Sequence, residues 1–504
     1  MNSFNRIYNI LISAVCMGIA QHPLGLGWFA WFCLVPLFLS LKDDNKFRNI
    51  FFKIFLWAFI YHLVSLYWLI DNIGVDEKYI AFITMILANL VCTLNIIVIF
   101  LIWYFINYLS GKKIWYSLPF IWVMVEYLSS LTQISFPWAS ISNTQAQESL
   151  LPMIQFIELT GMFGLTFWII NLNISLFYFF INRARTQLLE SISIFILPLI
   201  LGLFLVKPSY DNIDKIDFSI LQQNIHIDEK CKNIGMFQKH LDVTRKFIDK
   251  IDKNSEELLL IWPESAFTHN SRNSNFQVRT FLIENNIENV NLLTGVGEYH
   301  DSLIYNSIYF LDSDNDYNLK TEKKYRKIKL VPGAEHVPFS QTFPALKNIA
   351  LSGNFSMGNQ YTLFKYKNSY FAGMVCIEST YPDMSRTFVK NGANFLVYVA
   401  NDGWYLNPPE AQQHAKQTIF RAIETRKPIL RSGNTGITWV VDSYGAVLKQ
   451  LEHNKLGMLS SEDLNVYSNS SKTFFVIAGN WLSYISIFIT FCLILRGFII
   501  RFKK

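Results

Sequence analysis

The chain carries two hydrophobic textures. Long, nearly uninterrupted apolar runs occupy residues 7–21, 24–41, 50–73, 79–109, 114–134, 161–181, 192–206 and 474–500. A helix of roughly 20 apolar residues crosses a hydrocarbon core of ~30 Å, so these eight runs are expected to form membrane helices. The first is short and stops at His22-Pro23, which leaves a re-entrant turn open. A cleaved signal peptide is disfavoured, because no small-residue cleavage pattern follows and the next apolar run starts at once. Between residues 211 and 470 the texture changes to short β-type runs at 218–222, 258–262, 292–296, 305–311, 371–375, 395–400 and 438–442, with amphipathic helical stretches at 239–251 and 410–425. Strands alternating with helices predict an α/β layered domain, and ~260 residues bury a core without staples. The expected division is therefore 1–210 with seven membrane helices, 211–470 as the α/β domain, and 471–504 with the closing membrane helix and a tail.

Composition agrees with a lipid setting. Of 504 residues 51% are hydrophobic and 16% charged, against roughly 25% charged in ordinary globular proteins. The net charge of +6 raises the question of nucleic acid or anionic lipid, and the placement of the basic residues answers it. Lys42, Lys46, Arg48 and Lys53 flank the second connection, Lys112 and Lys113 the fourth, Arg183 and Arg185 the sixth, and Arg496, Arg501, Lys503 and Lys504 the end. The third connection holds one lysine against three acids, and residues 135–160 hold no Lys or Arg. Because Lys and Arg stay on the cytoplasmic side, eight crossings predict both termini in the cytoplasm and the α/β domain outside it, on the periplasmic face of a bacterial plasma membrane. No nucleic-acid partner is expected.

Six cysteines lie at positions 16, 33, 92, 231, 376 and 492. Four fall in apolar runs, where cysteine packs as a small hydrophobe. An oxidising compartment would permit a bridge between Cys231 and Cys376, but nothing in the sequence brings them together. With no CxxC and no His/Cys cluster at zinc spacing, no structural metal is expected. In the loop 135–160, Phe136-Pro137-Trp138 precedes Ser140, Ser142, Asn143, Thr144 and Gln145. Aromatic and polar residues together suit the headgroup level, either as a plain surface loop or as the lining of a lipid site.

Candidate chemistry gathers in three stretches, two of them strand ends. Residues 370–378 alternate as a buried strand and deliver Cys376 and Glu378. Residues 258–262 run into Pro263, which ends a strand ladder by removing a donor, with Glu264 next. The basic stretch 325–338 contains Lys327 and Glu335. Each taken alone reads as packing or surface charge. Together they supply a thiol that attacks a carbonyl, a carboxylate that moves its proton, and an ammonium that stabilises thiolate and oxyanion. That set suits acyl transfer from an ester or amide.

The order Trp262-Pro263-Glu264, Tyr325-x-Lys327-x-x-Leu330-Val331-Pro332, Cys376-x-Glu378 and Asn401-Asp402-Gly403-Trp404 resembles the nitrilase superfamily with its Glu-Lys-Cys triad. The seven-helix front and closing helix make the chain similar to the apolipoprotein N-acyltransferase family. The resemblance runs from the 23–36 region through Phe136-Pro137-Trp138 to the stretch from Arg431 to Thr438. It implies an αββα nitrilase-like sandwich beside a membrane bundle of about eight helices, and no cofactor. It also implies Glu264 as general base, Lys327 as oxyanion and thiolate partner, Cys376 as nucleophile, and Glu335 and Glu378 as supporting acids. Trp404, Asn401, Phe136 and Trp138 are candidates for substrate contact. The implied reaction is ping-pong: Cys376 takes an acyl chain from a phospholipid, and the α-amine of a diacylglyceryl apolipoprotein receives it. A monomer among membrane lipids is expected. The chain departs from the family at Gly333-Ala334, where Phe-Gly is usual, at Ile377, where an aromatic commonly follows the nucleophile, and near Cys231, where a tryptophan is frequent. These departures bear on donor preference more than on reaction type.

Two other readings compete. A membrane-anchored nitrilase-type amidase would use the same triad, although eight helices exceed what an anchor needs. A transporter with an accessory domain would carry intramembrane ionisable residues, for which Glu126 and His62 are the main candidates. The greasy stretch 332–358, with Phe339, Phe343, Leu346, Ile349, Leu351, Phe355 and Met357, reads either as a lid dipping to the membrane or as a buried loop.

Overall fold

The computed structural model describes residues 3–75, 77–206, 211–226, 236–251, 255, 257–268, 280–285, 287, 289–312, 323–340, 342–343, 354–405, 409–462 and 464–503. The chain divides into two compact units, Met1–Val206 with Ala478–Lys504, and Lys207–Ile477.

The first unit is helical: α1 (Ser3–Ala20), α2 (Val35–Leu41), α3 (Phe47–Leu66), α4 (Lys78–Ser110), α5 (Leu118–Ser130), α6 (Phe163–Asn182) and α7 (Arg185–Leu205), with the closing helix Trp481–Phe502 packed on α4 and α5. Five stretches are long and apolar enough to cross a membrane: Phe47–Asp71, Lys78–Ser110, Phe163–Asn182, Arg185–Leu205 and Trp481–Phe502. The other three apolar runs give shorter helices. The run 24–41 breaks into a 3-10 turn at Gly27–Trp31 and then α2, whose first turn holds Pro36. The run 114–134 yields the 13-residue α5, entered through Pro119. Proline fits the first helical turn and begins a helix there, so in both places it divides a run that hydropathy alone reads as continuous.

On α7 and the closing helix the exposed faces are apolar and the packed faces carry mostly small residues. The buried residues of α7 are Ser191, Pro198 and Gly202, whereas Leu203 and Phe204 are 75% and 78% exposed. Ser191 Oγ meets Ser175 Oγ of α6 at 2.8 Å. The closing helix buries Ser483, Ser486, Thr490 and Gly497. A Cβ on Gly497 would lie 2.7 Å from Leu109 Cβ. Small residues at the seams and large apolar ones outside are the arrangement for helices solvated by lipid.

The second unit begins with β1 (Asn212–Lys215), β2 (Phe218–Gln222), α8 (Met236–Lys246), β3 (Leu258–Ile261), β4 (Phe267–Thr268), β5 (Val290–His300), β6 (Leu303–Leu311) and β7 (Lys324–Arg326). It continues with β8 (Phe364–Tyr366), β9 (Ser369–Val375), α9 (Pro382–Lys390), β10 (Phe395–Ala400), α10 (Glu410–Thr425), β11 (Ile429–Gly433), β12 (Trp439–Val441), β13 (Val447–Gln450), β14 (Gly457–Ser460) and β15 (Tyr467–Asn469). One sheet has the order β14-β2-β3-β5-β6-β7, with β4 beside β5, and the other β13-β12-β11-β10-β9-β8. The central trios β2-β3-β5 and β9-β10-β11 are parallel. The continuous apolar sequences of β3 and β10 follow from being covered on both faces.

Between the sheets, Phe310 and Phe371 meet edge-on at 5.5 Å and Ser432 Oγ donates to the Leu221 carbonyl at 2.9 Å. Outside the first sheet, Leu241 of α8 and the helical residues Phe281 and Leu282 join Leu258, Leu260, Trp262 and Leu292 in one core. Outside the second, Ser385 of α9 bonds Tyr398, and Trp439 of β12 donates to Thr418 of α10. The layering is αββα. β2, β10 and α10 match the expected limits, and α8 ends earlier than the expected 239–251 helix, giving way to a 3-10 turn at Ile248–Lys250. The central strand β11 was not expected, because Arg431 and Ser432 interrupt its apolar character.

Candidate active site

Parallel strands of both sheets carry the reactive residues past their carboxyl ends, where open α/β folds place such groups. On the first sheet, β3 stops at Ile261, and Ser265 takes a left-handed conformation (φ 50°), so the turn holding Glu264 reverses over β5. That turn touches Gly295: a Cβ there would stand 2.6 Å from both Glu264 Cα and Ser265 N. Glycine is the residue that permits the approach.

Lys327 follows β7 directly, and its N–H donates to the Asn306 carbonyl at 2.8 Å, which sets the two residues side by side. Lys327 Nζ lies 2.8 Å from Glu335 Oε1 and 3.7 Å from Glu264 Oε1. Asn306 Nδ2 donates to both carboxylates, at 2.7 Å to Glu264 and 3.0 Å to Glu335. Glu335 is presented by a tight turn in which Gly333 has φ 79° and its N–H donates to the His336 carbonyl. Its second oxygen accepts from Val331 N at 2.8 Å. Gly333-Ala334 thus closes the turn that carries Glu335 to Lys327. Burial alone would lower the Lys327 ammonium, but Glu335 and Glu264 outweigh it and hold it above the usual lysine range.

On the second sheet, Cys376 leaves β9 with φ 51°. A left-handed non-glycine residue costs about 1–3 kcal/mol and recurs at functional turns. Part of the residue remains accessible, yet burial of the sulfur pushes the thiol well above its ordinary range, and the Glu264 charge pushes it further. Lys327 opposes this without cancelling it. The resting group is therefore a thiol, and its attack requires a base that takes the proton as the bond forms.

Glu378 plays a different part. It is fully buried, and its Oε1 accepts from Tyr325 Oη (2.5 Å), Ile328 N (2.7 Å) and Lys329 N (3.1 Å), while Oε2 accepts from Val375 N (2.8 Å). It ties the Lys327 segment to the Cys376 strand end across the two sheets. Burial raises its carboxyl pKa, against the pull of those donors.

On the same strand ends stands a second polar group. Cys376, Asp402 and His414 each offer an atom, and the three atoms lie within 4.8 Å of one another. Asp402 Oδ1 is 2.7 Å from His414 Nδ1, and Asp402 Oδ2 accepts from Arg431 Nη2 at 2.9 Å. Burial opposes the Asp402 charge, but Arg431 and His414 overcome it and keep the carboxyl well below its usual range. A cation at this place would meet the Arg431 guanidinium, which already supplies the positive charge.

The other sequence candidates are distributed differently. Asn401 is 4% exposed and its side-chain oxygen accepts from Asn434 Nδ2 at 3.0 Å, so it ties β10 to the turn after β11. Trp404 is 41% exposed. Phe136 and Trp138 belong to the helical unit, where their rings stack at 5.6 Å and Trp138 packs on Trp68. His62 is buried there and Glu126 is half-buried; Glu126 accepts from Ser140 and Thr166 hydroxyls, and His62 meets Thr93. Of the greasy stretch, Phe339, Phe343 and Met357 are exposed, while Leu346, Ile349 and Leu351 lie outside the described residues, as does Cys231. Asn306 and His414 carry no mark in the sequence pattern, and Arg431 is marked only as the start of a stretch that carries the resemblance. Asn306 sits in an alternating strand and His414 on the buried face of an amphipathic helix, where packing is the ordinary reading.

Residues 13–175 match the apolipoprotein N-acyltransferase N-terminal domain, and residues 235–465 match the carbon-nitrogen hydrolase domain. An apolipoprotein N-acyltransferase of Thermotoga maritima is 26% identical over 477 residues, covering 92% of this chain and 88% of its own. Another, of Chlorobaculum tepidum, is 28% identical over 473 residues, covering 86% of each. Among solved structures, an amidase from Nesterenkonia sp. is 14% identical, with a TM-score of 0.37, covering 51% of this chain and 94% of its own.

Proposed function

Because this chain belongs to the apolipoprotein N-acyltransferase family, we propose that it takes a fatty acyl chain from a phospholipid and passes it, through a thioester on Cys376, to the α-amino group of the N-terminal diacylglyceryl-cysteine of an apolipoprotein. The observation that carries this reading is the hydrogen-bonded group of Glu264, Asn306, Lys327 and Glu335, whose two carboxylates and ammonium act on the Cys376 thiol. The match of residues 13–175 favours lipid acyl transfer over hydrolysis of a small amide.

In the first half-reaction Glu264 takes the thiol proton as Sγ attacks the ester carbonyl. Lys327 and the N–H of Ile377 receive the oxyanion, and Glu264 returns the proton to the departing lysophospholipid oxygen. Glu335 and Asn306 hold Lys327 and Glu264 in register, and Glu378 fixes the two strand ends. In the second half-reaction the acceptor amine attacks the thioester and Cys376 leaves. All the required groups are side chains or backbone, so the chemistry balances without a cofactor. Trp404, Phe136 and Trp138 are proposed to contact lipid. The basic connections support an inner-membrane protein with both termini in the cytoplasm and the α/β unit in the periplasm, and a monomer supplies every group the reaction uses.

The test is transfer itself. Purified protein in detergent, given phospholipid and a synthetic diacylglyceryl lipopeptide, should yield the N-acylated lipopeptide by mass spectrometry, and Cys376→Ala should yield none. Product formed by Cys376→Ala at the wild-type rate would refute the mechanism.

A further inference from the structure

Proton bookkeeping in the second half-reaction leaves one proton without a carrier. An α-amine with an ordinary pKa of ~7.7–8.0 arrives at neutral pH largely as an ammonium. It must lose one proton to become a nucleophile and a second when the amide forms. Glu264 can relay only one of them, from nitrogen to the departing sulfur.

We propose, resting on the acyl-transfer reading above, that His414 is the base that takes the first proton from the incoming ammonium, with Asp402 and Arg431 as its positioning residues. One ring nitrogen of His414 lies within 4.8 Å of the Cys376 sulfur, the atom that carries the acyl group. Nδ1 faces the Asp402 carboxylate at 2.7 Å and Arg431 Nη2 at 3.2 Å. The shorter contact is to an acceptor, so Nδ1 carries the hydrogen and donates it to Asp402. That tautomer leaves Nε2 as the basic nitrogen and holds the ring in one orientation. The Asp402 charge stabilises the imidazolium that forms, in the manner of a carboxylate behind a catalytic histidine. Arg431, through Asp402 Oδ2, keeps that carboxyl ionised.

The remaining charged and titratable neighbours leave this assignment intact. Glu410, one helical turn before His414 on α10, is buried, and burial and the Asp402 charge raise its pKa well above the usual carboxylate range. Tyr405 is likewise raised by burial, and burial lowers His453. Neither Tyr405 nor His453 adds a formal charge beside the imidazole at neutral pH.

The step balances. His414 takes one proton from R–NH3+, and the neutral nitrogen attacks the thioester carbon. The C–S bond breaks, and the second nitrogen proton passes through Glu264 to sulfur, restoring the thiol. His414 then releases its proton to solvent. The first half-reaction has no such surplus, because the thiol proton ends on the lysophospholipid.

Single-turnover experiments on the full-length protein in detergent separate the two halves. Acyl-enzyme formation from phospholipid alone is read by intact mass, and its consumption by a diacylglyceryl lipopeptide is timed from pH 6 to pH 9. His414→Gln should acylate within about threefold of wild type and transfer about 100-fold more slowly at pH 7, the usual scale of a general base. The deficit should shrink to within about tenfold at pH 9, where the amine arrives uncharged. Asp402→Asn is the second variant and carries the same expectation. Equal losses in both half-reactions, or a transfer deficit independent of pH, would overturn the proposal. Failure of the wild-type protein to form an acyl-enzyme would instead contradict the acyl-transfer reading on which it rests.

Discussion

At the scale of single residues, Asn306 carries more of the site than its place in the sequence suggests. One amide nitrogen bridges the carboxylates of Glu264 and Glu335, so like charges are held near one ammonium at a fixed separation. Replacing it with Leu, similar in size and without donors, leaves the buried Glu264 and the half-buried Glu335 each short of a hydrogen bond, at about 1–3 kcal/mol. The expected result is a kcat/KM for transfer lower by about 5- to 150-fold; a variant with unchanged kcat/KM would show that the bridge is incidental. Glu264 and Cys376 were legible because each follows a strand signal, Pro263 in one case and an alternating apolar run in the other, and Lys327 because of its motif. Asn306 and His414 were not, since a polar residue on one face of a strand or helix reads as pleat or packing until the tertiary fold brings a partner to it. Glu378, read as a supporting acid, accepts four hydrogen bonds that join two strand ends.

At the scale of elements, the three-residue strand β7 positions Lys327 and is held on its outer face by charge. Glu298 of β5 accepts from Arg326 Nε (3.0 Å) and Nη2 (2.6 Å), from Lys324 Nζ (3.0 Å) and from Ser307 Oγ of β6 (2.8 Å). Burial opposes the Glu298 charge, but Arg326, Lys324 and Ser307 overcome it and lower its pKa to about 2. A carboxylate depressed in the folded state contributes stability that is present above its unfolded pKa of ~4.3 and is lost as pH falls toward the folded value. The wild-type protein should therefore lose thermal stability between about pH 5 and pH 2 through this group. Glu298→Gln should be less stable at pH 6 and fall less steeply below pH 5. Tryptophan fluorescence melts at pH 6 and pH 3 measure this, and parallel drops in both proteins would contradict it. The same logic explains why β11 was hidden. A strand carrying Arg431 and Ser432 belongs in a core only when Asp402 and the Leu221 carbonyl receive them, and neither partner can be read from local pattern.

At the scale of the whole molecule, the chain enters its α/β unit from one membrane-type helix and leaves it into another, so the catalytic unit is joined at both ends to segments solvated by lipid. The apolar runs were legible as runs because lipid imposes length and hydropathy over many residues. Their division by Pro36 and Pro119 was not, because hydropathy averages over single prolines. The two-sheet layering was legible as α/β from alternation alone, and as αββα only through the resemblance, since strand order depends on long-range pairing. The central claim is that Cys376 carries the acyl group, and its most direct test is intact mass spectrometry of the protein incubated with phospholipid and no acceptor. The predicted result is a mass increase of one acyl chain, removed by hydroxylamine and absent from Cys376→Ser as an adduct of that lability; an unmodified wild-type chain, or an adduct that hydroxylamine leaves in place, would contradict it.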